Sequence, residues 1–208
     1  MVDEPTLERI VDFHGHLCPG LAMGIRAAEA ALVEVGPHAA DEEVVAIVET
    51  DMCAVDAIQV LTGCTFGKGN LVHRDHGKNA FTFVRRSDGH AVRVRATGAM
   101  AGRDPAFDEL FAKVRARAAT SEERQRFWQL QEERSRRVLA APLEELYAVD
   151  RVATPAPAPA RIHRSVDCAA CGEATMETRI RRLDGRDLCG PCFEEALAGT
   201  TPIAGPTR

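Results

Sequence analysis

Leu21, Ile25, Ala28, Leu32 and Val35 recur every third or fourth residue, the spacing of one face of a helix, which predicts a helix over residues 19–35. Pro19 suits its first position and Gly36-Pro37 ends it. A shorter helix is expected over residues 5–13. The pattern then changes: Val44, Val45, Ile47 and Val48 make residues 43–50 contiguously apolar and β-branched, which predicts a buried strand. Asp51 is placed to cap a helix over residues 52–62, with Gly63 just beyond its end. Strands are expected near residues 71–74, 80–86 and 90–97, the last two joined by the turn Ser87-Asp88-Gly89. Asp104-Pro105 opens a helix with Phe107, Leu110, Phe111 and Val114 on one face. Thr120-Ser121-Glu122-Glu123 is a capping box for a further helix to about residue 139. Its apolar content is thin: Phe127, Trp128 and Leu130, then nothing until Val138. Such a helix reads as a solvated arm or as one that packs on another subunit. Helices and antiparallel strands in mixed order predict an α+β domain.

The sharpest break is Ala153-Thr154-Pro155-Ala156-Pro157-Ala158-Pro159-Ala160, where alternating Pro predicts an extended, semi-rigid connector. It divides the chain into a larger domain (residues 1–152), the linker (153–160), a small module (161–198) and a Gly/Thr/Pro tail (199–208) expected to lack order. The 208 residues suffice for one ordinary domain plus such a module. With 45% hydrophobic but only 5% aromatic residues, the core has to be built mainly from Ala, Val, Leu, Ile and Phe. A net charge of -5 argues against a protein that works by neutralising nucleic-acid phosphates or an anionic membrane. No apolar run approaches the roughly 18 residues of a membrane span. The start Met1-Val2-Asp3-Glu4-Pro5 lacks the basic and apolar regions of a signal peptide, so a cytoplasmic protein is expected.

Seven cysteines cannot all pair internally, and without an export signal no disulfide framework is expected. Cys168-Ala169-Ala170-Cys171 and Cys189-Gly190-Pro191-Cys192 are two CxxC pairs suited to tetrahedral zinc bound by four thiolates. Between them lies a hairpin over residues 176–188 around Asp184-Gly185, and residues 192–198 read as a short helix carrying the last ligand. That order resembles a treble-clef or zinc-ribbon module. A unit this small buries too little apolar area to fold alone, so the structural zinc is expected to stabilise it. Arg179, Arg181, Arg182 and Arg186 cluster on the hairpin, but 6 basic and 7 acidic residues balance across 161–195, so nucleic acid is not the expected partner.

A second group lies upstream. His14, His16 and Cys18 alternate, which puts all three on one side of an extended segment that ends at a helix N-terminus. Cys53 falls in the first turn after Asp51, where a thiolate is favoured, with Asp56 one turn on. Cys64 follows in the Gly-rich loop Gly63-Cys64-Thr65-Phe66-Gly67-Lys68-Gly69-Asn70, which brings backbone amides and Lys68 within reach of an anionic group but lacks Walker spacing. Singly, each Cys reads as a small buried hydrophobe and each His as a structural residue. Together they point to a metal or thiolate site.

Phe13-His14-Gly15-His16-Leu17-Cys18-Pro19-Gly20-Leu21, followed by Gly24-Ile25-Arg26, resembles a signature of the FmdE family of formylmethanofuran dehydrogenase subunits. So does the segment that begins Asp51-Met52-Cys53-Ala54-Val55-Asp56 and ends Gly63-Cys64-Thr65-Phe66-Gly67-Lys68-Gly69-Asn70-Leu71, as does Asp75-His76-Gly77-Lys78-Asn79-Ala80-Phe81. The resemblance implies an α+β domain in intertwined dimers, a metal site built from the His-x-Cys and Cys segments, and a C-terminal zinc finger. It also implies association with molybdenum or tungsten formylmethanofuran dehydrogenase, which reduces CO₂ to a formyl group in methanogens. No pterin, flavin or iron–sulfur motif is present, so this chain is not the whole dehydrogenase.

The expected function is therefore that of a dimeric metalloprotein, an enzyme or accessory subunit in one-carbon metabolism, with a His/Cys cleft and a second metal ion. His16, Cys18 and Cys53 are the expected ligands, Cys64 a fourth; His14 and Asp56 orient them, and Lys68 holds a small anionic substrate. The alternative is a non-catalytic regulatory protein whose zinc module docks a partner. Phe127, Trp128 and Leu130 are expected to pack across a two-fold interface.

Overall fold

Extended at φ -135° and ψ 161°, Cys18 turns the chain into α2 (Pro19–Val35), the helix on which the larger unit is built. The computed structural model describes residues 2–98 and 105–199, in two units, Met1–Ala160 and Arg161–Arg208. In the first, α2 buries Leu21, Ile25, Ala28 and Val35, as its apolar spacing requires, and also Ala22, Ala27, Ala30 and Ala31 on its flanks. Small side chains let neighbours approach closely. A Cβ on Gly24 would stand 2.3 Å from the Ala54 carbonyl oxygen of α3 (Ala54–Thr62). Before α2, α1 (Glu4–His14) is capped by Asp3, whose carboxylate accepts the Thr6 amide at 3.0 Å.

Five strands form one sheet in the order β2-β1-β3-β4-β5. They are β1 (Val44–Val48), β2 (Leu71–His73), β3 (Ala80–Arg85), β4 (Ala91–Ala96) and β5 (Tyr147–Arg151). β2 lies parallel to β1, with α3 as the connection between them, and the other pairs are antiparallel. Every residue of β1 is buried, as a contiguous apolar run demands. Polar alternation hid β5, whose first residue, Tyr147, is buried and donates its hydroxyl to Met23 O at 3.0 Å. α3 starts two residues later than the sequence suggested: Cys53, not Asp51, occupies the N-cap.

Asp104 lies outside the described residues, but the helix it was expected to open is α4 (Pro105–Arg115). α4 packs on α5 (Ser121–Ala140), whose capping box is formed by Thr120 and Glu123. α5 is not a solvated arm. It packs along α2 and buries Phe127, Ser135 and Val138. Phe127, Gln131, Ser135 and Val138 share one helical face, and the Ser135 hydroxyl is satisfied by donating to Gln131 O at 2.7 Å. Counting apolar residues alone missed it. The expected patch is split accordingly. Phe127 is internal, stacked on Phe107 and Phe111 of the same chain, while Trp128 is half exposed. A short α6 (Leu143–Leu146) leads into β5. The Pro/Ala stretch 153–160 belongs to this unit: Pro157 O accepts from Arg86, and the Ala160 amide donates to Glu42 at 3.2 Å.

In the second unit, β6 (Ser165–Asp167) pairs with β7 (Ala174–Met176), and the first CxxC lies in the turn between them. A 3-10 turn (Glu177–Arg179) breaks the long hairpin arm expected there. The hairpin itself is β8 (Arg181–Leu183) and β9 (Arg186–Leu188), joined by Asp184 at φ 49° and Gly185 at φ 77°, the doubly left-handed turn that Asp-Gly favours. α7 (Gly190–Leu197) begins inside the second CxxC, with Cys189 at its N-cap and Cys192 in its first turn. This order of knuckle, hairpin and helix is that of a treble-clef or zinc-ribbon-like module. Among the described residues its buried cluster is Cys168, Leu188 and Cys189. Residues 200–208 of the tail lie outside the described residues. No helix among the described residues is long and apolar enough to cross a membrane.

Candidate functional site

His14 ends α1, Cys18 begins α2, and Gly15 at φ 96° turns the chain between them. The turn brings one ligand atom each of His14, His16 and Cys18 within 4.8 Å of one another. His14 Nδ1 lies 2.7 Å from Asp56 Oδ2, and its Nε2 faces Cys18 Sγ at 3.8 Å. Cys18 Sγ also accepts the Leu21 amide at 3.4 Å, so the start of α2 caps on sulfur. Gln59 donates to the other Asp56 oxygen at 3.4 Å. Cys53 borders the group across Gly20, where a Cβ would stand 3.6 Å from Cys53 Sγ and 3.9 Å from Cys18 Sγ. The edge of Trp128 packs on the His16 ring, centroids 5.5 Å apart. Cys53 and Asp56 are expected members of this group; Trp128 is not, and no local signal links it to His16.

Burial, and His14 beside it, hold His16 below the usual imidazole value and favour its neutral, ligating form. Burial, with the Cys53 thiol nearby, pushes the Cys18 thiol up to about 11. Ionising buried Cys18 is costly, and a bound cation is what offsets that cost. Two imidazoles with one or two sulfurs form a donor set suited to zinc and related borderline ions. The residues present fit a metal ion.

Two expected members are not brought to this group. The nine-residue α3, about 13 Å long, separates Cys53 from Cys64. Cys64 is fully buried, its Sγ donating to Val44 O at 3.3 Å, and burial pushes its thiol up: it behaves as a core residue. Lys68 Nζ donates to Ala39 O at 3.0 Å. The Gly-rich loop is not an open anion cradle either. Its Cys64, Thr65, Lys68 and Gly69 amides all donate within the loop or to Thr62, and buried Asn70 ties it to Asp41 and Val44. The 75–81 segment has its own partner: His76 Nδ1 lies 3.2 Å from Glu49 Oε2, whose other oxygen takes two Arg93 donors at 2.8 and 3.0 Å.

In the second unit, Cys168, Cys171, Cys189 and Cys192 bring their sulfurs within 4.8 Å of one another. Burial opposes ionisation of Cys168, but the Cys171, Cys189 and Ala170 amides aimed at its sulfur outweigh it and lower the thiol to about 6. The hydrogen bond with Cys189, and the other crowded thiols, push Cys192 up to about 12. Amides preorganised for thiolate and four converging sulfurs fit a tetrahedral metal ion.

Comparison with known proteins matches most of the larger unit to one family. The family described as FmdE, molybdenum formylmethanofuran dehydrogenase operon, matches residues 13–148. A protein of Archaeoglobus fulgidus described as a probable S-adenosyl-L-methionine-binding protein is 38% identical over 194 residues, covering 89% of this chain and 52% of its own. The chain thus spans about half the length of that curated relative. The crystal structure of a tungsten formylmethanofuran dehydrogenase FmdE-like protein from Syntrophus aciditrophicus superposes with a TM-score of 0.59 at 25% identity, covering 96% of this chain and 94% of the other.

Proposed function

This chain belongs to the FmdE family, and from that premise we propose that its larger unit is a metal-dependent centre, catalytic or accessory to a molybdenum or tungsten enzyme of one-carbon metabolism. His14, His16 and Cys18 hold one divalent ion, with Cys53 as a further donor. The four cysteines of the second unit hold a structural zinc. The observation that carries the reading is the Asp56–His14–Cys18 alignment, the carboxylate–histidine–ligand arrangement common around protein-bound metals. Asp56 accepts a hydrogen bond from His14 Nδ1–H and so leaves the Nε2 lone pair free to ligate; Trp128 covers one side of His16. A bound ion supplies a Lewis acid and a water that ionises near neutral pH. This assigns His14 to the ligands, with Asp56 behind it, and leaves Cys64 out.

The proposal includes a homodimer formed through α4 and α5. Among the described residues α4 has no buried side chain, and Phe111 and Trp128 remain 41% and 49% exposed. Such apolar area on two adjoining helices supports an interface.

Metal analysis after zinc reconstitution tests the centre. Two equivalents per chain are expected, falling to one in Cys18→Ser/Cys53→Ser. Since Trp128 is the single Trp, cobalt at His16 should quench its emission, and the double variant should not be quenched. One equivalent in the parent overturns the reading in favour of a zinc-finger regulatory protein. Titrating the same emission with S-adenosyl-L-methionine reads whether the ligand named for the archaeal relative binds beside His16.

A further inference from the structure

A groove of about 900 Å³ lies between α1 and the C-terminal half of α3. Phe13, Val60 and Leu61 form its apolar wall, and Arg9, His38 and Lys68 are the ionisable side chains that line it. Among the described residues no carboxylate lines it. The acidic neighbour of Lys68 and His38 is Glu43, which stands outside the lining with its carboxylate turned onto the Asp41 amide at 2.9 Å. Phe13 is 58% exposed, a large apolar surface that no described residue of this chain covers. Lys68 is fixed at the rim by the Ala39 carbonyl and keeps two further donors. His38 is positioned by Gly63: at φ 70°, a Cβ there would stand 2.3 Å from Ala39 O and 2.8 Å from His38 Nε2, so only glycine lets that loop close on the end of α3. The other end reaches the candidate centre. Gln59 lines the groove and donates to Asp56, which holds His14, and Phe13 precedes His14 in the chain.

We propose that this groove binds a small organic anion, one carboxylate or phosphate on an apolar body. Its charge is met by Arg9, His38 and Lys68, and its body lies along Phe13, Val60 and Leu61. Charge complementarity selects this occupant: three cationic or protonatable groups without a carboxylate among them repel cations and gain little from neutral molecules. Only the direction of the ligand, its reacting end towards His14, rests on the metal-centre reading above; binding of the anion does not.

The test compares octanoate, octyl phosphate and 1-octanol by calorimetry on the full chain, with NMR shifts to locate them. At least one anion should bind tenfold or more tighter than 1-octanol, shifting Phe13, Val60 and Leu61, with affinity falling as salt rises. Whichever anion is tighter identifies the headgroup. Arg9→Met/Lys68→Met should abolish the preference while 1-octanol still binds, which shows that the groove is folded. Cys18→Ser/Cys53→Ser should bind the anion as the parent does, so loss of the metal reading leaves this one standing. Equal affinity for acid and alcohol, a preference that survives the cation variant, or binding only to monomer after dilution, which would make the groove a seam between protomers, each overturns the proposal.

Discussion

His14 Nδ1 and Asp56 Oδ2 meet at 2.7 Å across 42 residues of sequence, joining the last residue of α1 to the first turn of α3. A carboxylate in that place sets which imidazole nitrogen is available and how the ring is turned. Asp56→Asn keeps the shape but removes the charge. Metal affinity at the His14 centre should fall about 10–100-fold, the equivalent held by the four cysteines of the second unit should be retained, and the unfolding midpoint should hardly move. Competition against a chromogenic chelator reads it; unchanged affinity would mean that Asp56 is not behind a ligand.

Cys189→Ser should unfold residues 161–198 and leave the larger unit folded. The buried cluster of the second unit is Cys168, Leu188 and Cys189, too little to fold without an ion, and the larger unit has its own core. Excess chelator should act the same way. Amide NMR signals of the small unit that persist in the variant would dismiss the structural metal.

Gly24→Ala should destabilise the larger unit by about 1–3 kcal/mol, because the new methyl meets the Ala54 backbone, which cannot rotate aside. Urea denaturation measures this directly, and a midpoint equal to the parent's would contradict the close crossing of α2 and α3.

Glu49 carries a pH dependence. Burial opposes its ionisation, but hydrogen bonds from Arg93 and His76 outweigh that and hold the carboxyl below its usual value of 4.5. Its contribution is fully present above pH 4.5 and is lost as pH falls through the lower folded-state value. Glu49→Gln should therefore be less stable than the parent at pH 7, with the difference closing as pH falls below 4.5 through the depressed folded-state value. A gap that stays constant down to pH 3 would assign the effect to packing rather than charge.

Neighbours Phe127 and Trp128 should behave oppositely. Phe127 is 3% exposed inside its own chain, so Phe127→Ala should cost folding stability, about 3 kcal/mol. Half-exposed Trp128 contributes less to the single chain, so Trp128→Ala should leave the melting temperature nearly unchanged and move the protein toward monomer in sedimentation velocity. An unaltered dimer would take Trp128 out of the interface.

Periodicity and local chemistry alone determine much of this protein. The apolar face of α2, the contiguous run of β1, the Thr120–Glu123 capping box, the Asp184-Gly185 turn and the CxxC pairs are all readable because each is decided within one or two turns of chain. The His14–Cys18 ligands lie close in sequence, but His14 ends α1 and the left-handed turn at Gly15, not the expected extended alternation, brings them together. Tertiary structure decided what depends on long-range approach. It turned Ser135 into a core residue by packing α5 along α2, and it brought Trp128 to His16. It made Asp56 the partner of His14 and sent Cys64 into the core at the far end of α3. Sequence spacing fixes direction only over the length of one element. Beyond that, which side chains meet is set by how closely helices can pack, and here small residues such as Gly24 and the alanines of α2 set that distance.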